Sequence, residues 1–111
     1  MRKILPAAVV ALALGAAGPA LAEDPLTFEI AIKDHKFDPA VLEVPAGKEI
    51  KLIVKNLDET PEEFESNELN REKIIGGGRQ GTFDLDPLKA WSYPFFGEFN
   101  QATAQGKLIA K

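Results

Sequence analysis

Carboxylates are concentrated in one short segment of this 111-residue chain. Residues 62–73 read EEFESNELNREK and carry five glutamates. Glu63 and Glu65 flank Phe64, so in a β-strand both carboxylates project from one face while the phenyl ring enters the core. Two anions at this spacing repel each other unless solvent, a basic side chain or a metal ion compensates. The segment is therefore a candidate cation site.

The ligand type limits which cation such a site would accept. Carboxylate oxygens suit hard or borderline cations such as Ca²⁺, Mn²⁺ or iron, whereas Cu(I) prefers thiolate and thioether sulfur. The chain has no Cys, and its one Met is the initiator Met1. A different interpretation is a solvated surface in which Arg71 and Lys73 balance the acids. The segment alone leaves both interpretations open.

His35 is the one imidazole of the chain and lies in an Asp-His-Lys segment. Imidazole is a common metal ligand, but a lone His flanked by charges in a turn is typical of a surface residue, so His35 is a secondary candidate. Nucleophilic catalysis has little support, because Ser66 and Ser92 lie in no Gly-x-Ser-x-Gly segment. A small hydrolase is the weakest functional hypothesis.

The N-terminal segment predicts export. Arg2 and Lys3 precede a short apolar stretch, and a small-residue cleavage motif ends at Ala22. We therefore expect a periplasmic protein with a signal peptide at residues 1–22 and a single domain at residues 23–111. No Cys follows the apolar stretch, so we expect no membrane anchor.

Composition limits the partners and the sources of stability. The formal net charge is −4 and no cluster of Lys and Arg occurs, which argues against nucleic acid and anionic membranes as partners. Without cysteines there are no disulfides, so apolar packing and sheet hydrogen bonds must stabilise the domain.

Apolar and polar residues alternate in several short segments separated by Gly and Pro turns. These segments are residues 28–32, 42–44, 50–54, 83–85, 91–95 and 107–110. The pattern predicts an all-β sandwich. Pro94 predicts that its segment is an edge strand or a strand end. Residues 67–75 could form a short helical turn, but the like charges of Glu68 and Glu72 disfavour a packed helix.

Several segments together resemble the cupredoxin family. They are residues 28–34 (FEIAIKD), 37–40 (FDPA), 44–48 (VPAGK), Asn56, the Glu63-Phe64 pair and residues 106–109 (GKLI). The acidic segment is similar to a narrower group, the periplasmic cupredoxin-like partners of bacterial ferrous-iron uptake permeases, which is related to the cupredoxin domain of Efe-type proteins. The resemblance implies a Greek-key β-sandwich.

The resemblance also shows which metal centre is missing. A type 1 blue-copper centre needs two His, a Cys thiolate and a weak axial ligand. Residues 97–105 would carry three of those ligands but contain no Cys, His or Met, and the position that holds the other His in copper-binding relatives is Glu62. The iron-uptake group often has a His near Asn100, which is also missing here. We therefore expect no type 1 copper centre.

The resemblance and the acidic segment together predict a protein of an iron-import system that binds Fe(II) or Cu(II). The expected ligands are Glu63, Glu65, Glu68 and Glu98, with His35 as a second-site ligand; Glu98 is included because its loop lies at the metal-bearing end of cupredoxins. The implied partners are a periplasmic iron-binding protein and an inner-membrane iron permease, and the implied activity, if any, is ferrous-iron oxidation with copper. The alternative is a metal-free adaptor that docks such a partner through its acidic face.

Overall fold

A computed structural model of the chain describes residues 24–111, so the predicted signal peptide lies outside the described residues. The described part consists of short strands and one 3-10 helix. In chain order these are β1 (Leu26–Lys33), β2 (Lys36–Asp38), β3 (Val41–Val44), β4 (Ile50–Asn56), β5 (Glu62–Ser66), β6 (Arg71–Ile75), β7 (Gln80–Leu85), β8 (Trp91–Gly97), the 3-10 helix Glu98–Asn100 and β9 (Gln105–Ala110).

The strands form two mixed sheets that pack face to face. One sheet has the order β2-β1-β4-β7 and the other the order β3-β9-β8-β5-β6. The β1–β4 and β3–β9 pairs are parallel and the remaining pairs are antiparallel. The prediction of an all-β sandwich is confirmed. Between residues 24 and 111 no helix is long and apolar enough to cross a membrane.

Aromatic packing at the centre of the core fixes β5. Phe64 is fully buried, and its ring centroid lies 4.9 Å from that of Phe83 and 5.1 Å from that of Phe95. Phe37 meets Phe95 edge to face at 4.9 Å. Because side chains alternate along a strand, burying Phe64 turns Glu63 and Glu65 to the outer face. The predicted orientation of this segment is confirmed.

A buried Asn organises the loop that leads into β5. The Asn56 side chain is 1% exposed. Its Nδ2 donates to the carbonyls of Thr60 at 2.8 Å and Ile75 at 3.0 Å, and its Oδ1 accepts the Asp58 N–H at 3.0 Å. The β6–β7 loop approaches the same place so closely that a Cβ on Gly77 would clash with the carbonyl group that precedes Thr60. These contacts fix where β5 begins and β6 ends.

The prediction that Pro94 marks an edge strand or a strand end is wrong, because β8 lies inside its sheet between β9 and β5. The β5 ladder pairs only Phe96 and Gly97 of β8. The N–H and C=O of one strand residue point to the same side. The Pro94 carbonyl accepts a hydrogen bond from the Ser66 hydroxyl at 2.7 Å, so the carbonyl points toward β5. The position without an N–H therefore also faces β5, at a point that the hydrogen-bonded pairing of β5 with β8 does not reach, and no ladder hydrogen bond is lost.

The structure also shows what residues 67–75 form in place of a helix. Residues 67–70 form a turn, and residues 71–75 form β6, paired with β5 along its whole length. Cross-strand pairing therefore prevails over the helical propensity of this segment.

We predict that Asn56→Ala lowers the free energy of unfolding by about 2–4 kcal/mol, because it leaves buried backbone groups without hydrogen-bond partners. Urea denaturation followed by tryptophan fluorescence would measure the loss. The matched control is Asn67→Ala in the exposed β5–β6 turn, expected to change stability by less than about 0.5 kcal/mol. Equal losses in the two variants would show that the Asn56 hydrogen bonds do not stabilise the loop.

Candidate metal site

Three carboxylates meet on the outer face of the β5–β6 hairpin. Glu65 lies directly opposite Glu72 in the antiparallel register, and Glu63 lies two residues along β5 on the same face. One carboxylate oxygen from each of the three residues lies within 4.8 Å of those from the other two. We call Glu63, Glu65 and Glu72 the acidic triad. Glu63 and Glu65 are half-buried and Glu72 is exposed, so the triad is open to solvent.

The basic side chains of β6 do not neutralise the triad. Arg71 and Lys73 alternate with Glu72 and reach the neighbouring sheet, where Arg71 Nη2 donates to the Asp84 carbonyl at 3.0 Å and Lys73 Nζ to the Thr82 carbonyl at 3.3 Å. Lys73 also lies 5.3 Å from the centroid of the Phe83 ring. Lys55 pairs with Glu29 and Lys111 with Glu43, and neither of these ion pairs involves the triad. Arg71 and Lys73 are thus interleaved with acids that stay open to solvent, and among the described residues neither of them forms an ion pair with the triad.

The pKa values of two triad carboxyls, Glu63 and Glu65, are raised by their surroundings. The pKa of Glu63 is raised by a hydrogen bond shared with the Glu72 carboxyl, by burial, and by the charges of Glu72, Glu65 and Glu98. The pKa of Glu65 is raised by burial and by the charges of Glu72 and Glu98. Glu63 and Glu65 thus hold their protons more firmly than an isolated glutamate does. A bound cation would offset the part of these shifts that comes from the neighbouring carboxylate charges.

The structure brings together part of the ligand set predicted from sequence. Glu63 and Glu65 belong to the triad, and Glu98, in the 3-10 helix, is close enough for its charge to raise the pKa of both. Glu68 lies exposed in the β5–β6 turn and is not part of the group of three. Glu72 takes that place, and sequence reasoning missed it because residues 67–75 had no predicted strand pairing. Reading the segment as a hairpin would have placed Glu72 opposite Glu65.

His35 lies in a different part of the fold, the β1–β2 turn. Asp34 and His35 both have positive φ, 53° and 59°, and both donate their backbone N–H to the Asp58 carboxylate, at 2.8 and 3.0 Å. These bonds lower the pKa of Asp58, the His35 N–H most strongly. The His35 ring approaches the Thr60 hydroxyl at 3.4 Å and is not part of the triad group. The Asp58 carboxylate therefore stabilises the turn that contains His35.

A shallow depression adjoins the triad. Its volume is about 160 Å³, and its lining residues are Glu65, Ser66, Asn67, Asn70, Arg71 and Glu72. Two triad carboxylates therefore border a concave surface that also carries the side-chain amides of Asn67 and Asn70 and the Arg71 side chain. Hard cations accept such neutral oxygen ligands together with water.

Glu62 differs from the triad although it precedes it directly. Its side chain is 1% exposed and points into the fold toward the segment after β8. Its Oε1 accepts the Glu63 N–H at 3.0 Å and the Phe99 N–H at 2.8 Å, and its Oε2 accepts Asn100 Nδ2 at 2.7 Å. Each carboxylate oxygen therefore already has a protein donor.

Comparison with known sequences identifies relatives of this chain. A family model described as a cupredoxin-like domain matches residues 6–110. An uncharacterized protein of Rickettsia prowazekii (strain Madrid E) is 50% identical over 84 residues, which cover 76% of this chain and 67% of that protein.

Solved structures share the fold at low sequence identity. Auracyanin A, a "blue" copper protein of Chloroflexus aurantiacus, is similar with a TM-score of 0.68 and 19% identity, over 79% of this chain and 100% of that one. The metal-binding domain of the Cu(I)-exporting P-type ATPase of Streptococcus pneumoniae D39 gives 0.67 and 14%, over 83% and 92%. Amicyanin of Paracoccus versutus gives 0.59 and 14%, over 82% and 85%.

The residues of this chain do not fit a type 1 copper centre. Such a centre needs a Cys thiolate, and the chain has no Cys. The Glu62 carboxylate, at the position expected to match a His of copper-binding relatives, is already engaged by donors of the protein itself. Metal chemistry in this chain therefore has to use other residues.

We predict that Glu65→Gln stabilises the protein at pH 7. A carboxyl whose pKa is higher in the folded state binds more protons when folded, so stability falls as pH rises through the interval between the unfolded and folded pKa. Removing the charge removes this loss. Urea midpoints across pH 3–8 should show a gain at neutral pH that disappears below about pH 4.

The matched control for that prediction is Glu29→Gln, since Glu29 pairs with Lys55 at 3.3 Å. Its removal should leave stability unchanged or slightly lower at pH 7. A Glu65→Gln variant no more stable than the wild type at pH 7 would show that the triad charges do not repel measurably.

Proposed function

Since the chain belongs to the cupredoxin-like family, we propose that it is a periplasmic metal-binding protein of an iron-import system that binds Fe(II) or Cu(II) through the acidic triad. The observation that carries this proposal is the convergence of three carboxylate oxygens within 4.8 Å on one sheet face, while the Arg71 and Lys73 side chains of β6 donate to backbone carbonyls of β7. The predicted export signal supports the compartment, and the resemblance to iron-uptake partner proteins supports the pathway.

The triad suits a divalent cation that must be passed on. Three carboxylates supply negative charge and oxygen donors, and Glu98 adds a further charge beside them. The ligands lie on an exposed sheet face, so a bound ion keeps water ligands and can be reached by a partner. These properties support binding and delivery to a permease better than long-term storage.

The ligand chemistry also bears on oxidation state. Oxygen ligands favour harder ions, so carboxylates stabilise Fe(III) relative to Fe(II) and thereby make bound iron easier to oxidise. Copper stays in the proposal because a cupredoxin-like fold is shared with proteins named for copper. The lack of sulfur ligands favours Cu(II) over Cu(I).

We predict that chelator-treated protein binds Fe²⁺ under anaerobic conditions or Cu²⁺ in air, and that Glu63→Gln/Glu65→Gln/Glu72→Gln lowers the affinity at least tenfold because the charged oxygens are removed. Calorimetric titration would measure both. Binding should release protons and weaken as pH falls through the raised pKa values of Glu63 and Glu65.

The charge-matched control is Glu29→Gln/Glu43→Gln/Glu49→Gln, which removes three exposed carboxylates of other strands and turns. It should keep the wild-type affinity. If both triple variants bind equally, the triad is not the site. A Glu68→Gln variant then tests the remaining sequence-based ligand candidate of this hairpin, and Glu98→Gln that of the adjoining loop.

The alternative function is a metal-free adaptor that docks an iron-binding protein or the permease through the same face. The observation that favours it is Glu62, whose hydrogen-bonded carboxylate stands where the resemblance puts a copper ligand. The triad, Glu98 and the half-exposed Phe99 ring would then form an acidic surface around an apolar contact. Such a surface suits a basic partner.

For this alternative we predict binding to a basic iron-pathway partner that is fast at low salt and falls steeply between about 20 and 300 mM NaCl, because screening removes electrostatic steering. Surface plasmon resonance with the purified candidate partner would measure it. The triad triple variant should lose most of the salt dependence and the control triple variant should keep it. Salt-independent binding would contradict an electrostatic docking face.

A further inference from the structure

The Glu62 carboxylate joins two parts of the chain that are far apart in sequence. We call residues 98–104, between β8 and β9, the closing loop. The carboxylate accepts the Phe99 N–H at 2.8 Å and Asn100 Nδ2 at 2.7 Å, across 37 and 38 residues. It also accepts the N–H of its own neighbour Glu63 at 3.0 Å. One buried side chain of β5 therefore holds the beginning of the closing loop.

Gly97 makes the space that the carboxylate occupies. A Cβ on Gly97 would lie 2.6 Å from Glu62 Cδ and 2.7 Å from both Glu62 Oε2 and the Cβ of Ala104. Because real Cβ atoms do not approach so closely, a side chain at residue 97 and the present position of Glu62 exclude each other. Glycine at the end of β8 therefore leaves the room that the Glu62 carboxylate of β5 fills.

The rest of the closing loop is organised around the same point. The Asn100 carbonyl accepts the N–H groups of Thr103 and Ala104 at 3.1 and 2.8 Å, and the Gly97 N–H donates to the Ala104 carbonyl at 2.9 Å. Ala104 is fully buried. The loop is thus tied to itself by its backbone and to β5 by the Glu62 carboxylate.

Hydrogen bonds to an ionised acceptor are the strong ones, and a buried anion is stable only when such donors surround it. In the copper centre of copper-binding relatives, where the resemblance places one ligand at the position of Glu62 and the others in the segment after β8, the metal would join β5 to this loop. Here the residues cannot build that centre, yet the same two elements are joined.

We propose that the Glu62 carboxylate is a latch that orders the closing loop without any metal ion. It takes over the cross-linking function of a metal and leaves Glu62 engaged inside the fold. A metal bound by this protein is then confined to other residues. The inference does not depend on the acidic triad binding a metal.

Hydrogen–deuterium exchange on chelator-treated full-length protein tests the latch. The amides of Phe99 and Ala104 should be protected in the wild type without metal. Glu62→Leu removes the acceptors at similar side-chain size and should speed exchange at Phe99 by about ten- to a hundredfold. Amides of β1 and β4 report global unfolding, and Glu49→Gln is the control for loss of an exposed carboxylate.

A second pair of variants, which swaps the hydrogen-bond donor and acceptor between residues 62 and 100, tests the latch if Glu62→Leu does not fold. Asn100→Asp places a carboxylate against the Glu62 carboxylate and should open the loop, with exchange at Phe99 accelerated as above. Adding Glu62→Gln should restore protection, because the amide introduced on β5 then donates to the carboxylate introduced in the loop, which reverses the original direction of donation. Asn100→Asp without effect, or a double variant no better protected than Asn100→Asp, would overturn the latch.

Metal addition distinguishes a latch from a ligand. If the wild-type loop exchanges freely after chelation and becomes protected only with Cu²⁺ or Fe²⁺, Glu62 is a metal ligand and the proposal fails. Unchanged protection with metal supports the latch. Since the triad variants alter metal affinity and the Glu62 and Asn100 variants alter loop exchange, either proposal can fail while the other stands.

Discussion

The burial of Phe64 between the two sheets is the constraint on which the rest of this structure depends. Its ring packs against Phe83 and Phe95, so the direction of every side chain on β5 is fixed. Inward, the same alternation buries Glu62 and Ser66 at the two ends of the strand. Outward, it presents the triad glutamates of β5. A shift of one residue would place two anions in the core and expose Phe64, which makes this register strongly specified.

Neighbouring glutamates on β5 acquire different chemistry from their surroundings. Glu62 is buried, but N–H donors of the backbone and of Asn100 satisfy it. Glu63 and Glu65 are more exposed, but other carboxylates lie close to them, and their pKa values are raised. The two environments differ in what faces the carboxylate: Glu62 meets N–H donors, whereas Glu63 and Glu65 meet other carboxylates in a half-buried setting.

Much of the fold could be predicted from sequence because strand alternation is a local signal. The two β5 members of the triad followed from it, and so did the inward direction of Phe64. What could not be predicted depends on pairing between distant segments. Glu72 joins the triad through hairpin register, and Pro94 is tolerated inside a sheet because the β5 ladder ends beside it. The donors to Glu62 lie 37 and 38 residues away, and no local pattern announces them.

The latch and the triad are connected through the first residues of the closing loop. Glu98 immediately precedes Phe99, whose N–H the Glu62 carboxylate holds, and the charge of Glu98 raises the pKa of Glu63 and Glu65. An inward hydrogen bond therefore fixes the position of an outward charge. Freeing Glu62 to bind a metal would release the loop that brings Glu98 to the triad. The buried donors thus keep Glu62 turned inward, which leaves the outer face of β5 for the metal binding proposed above.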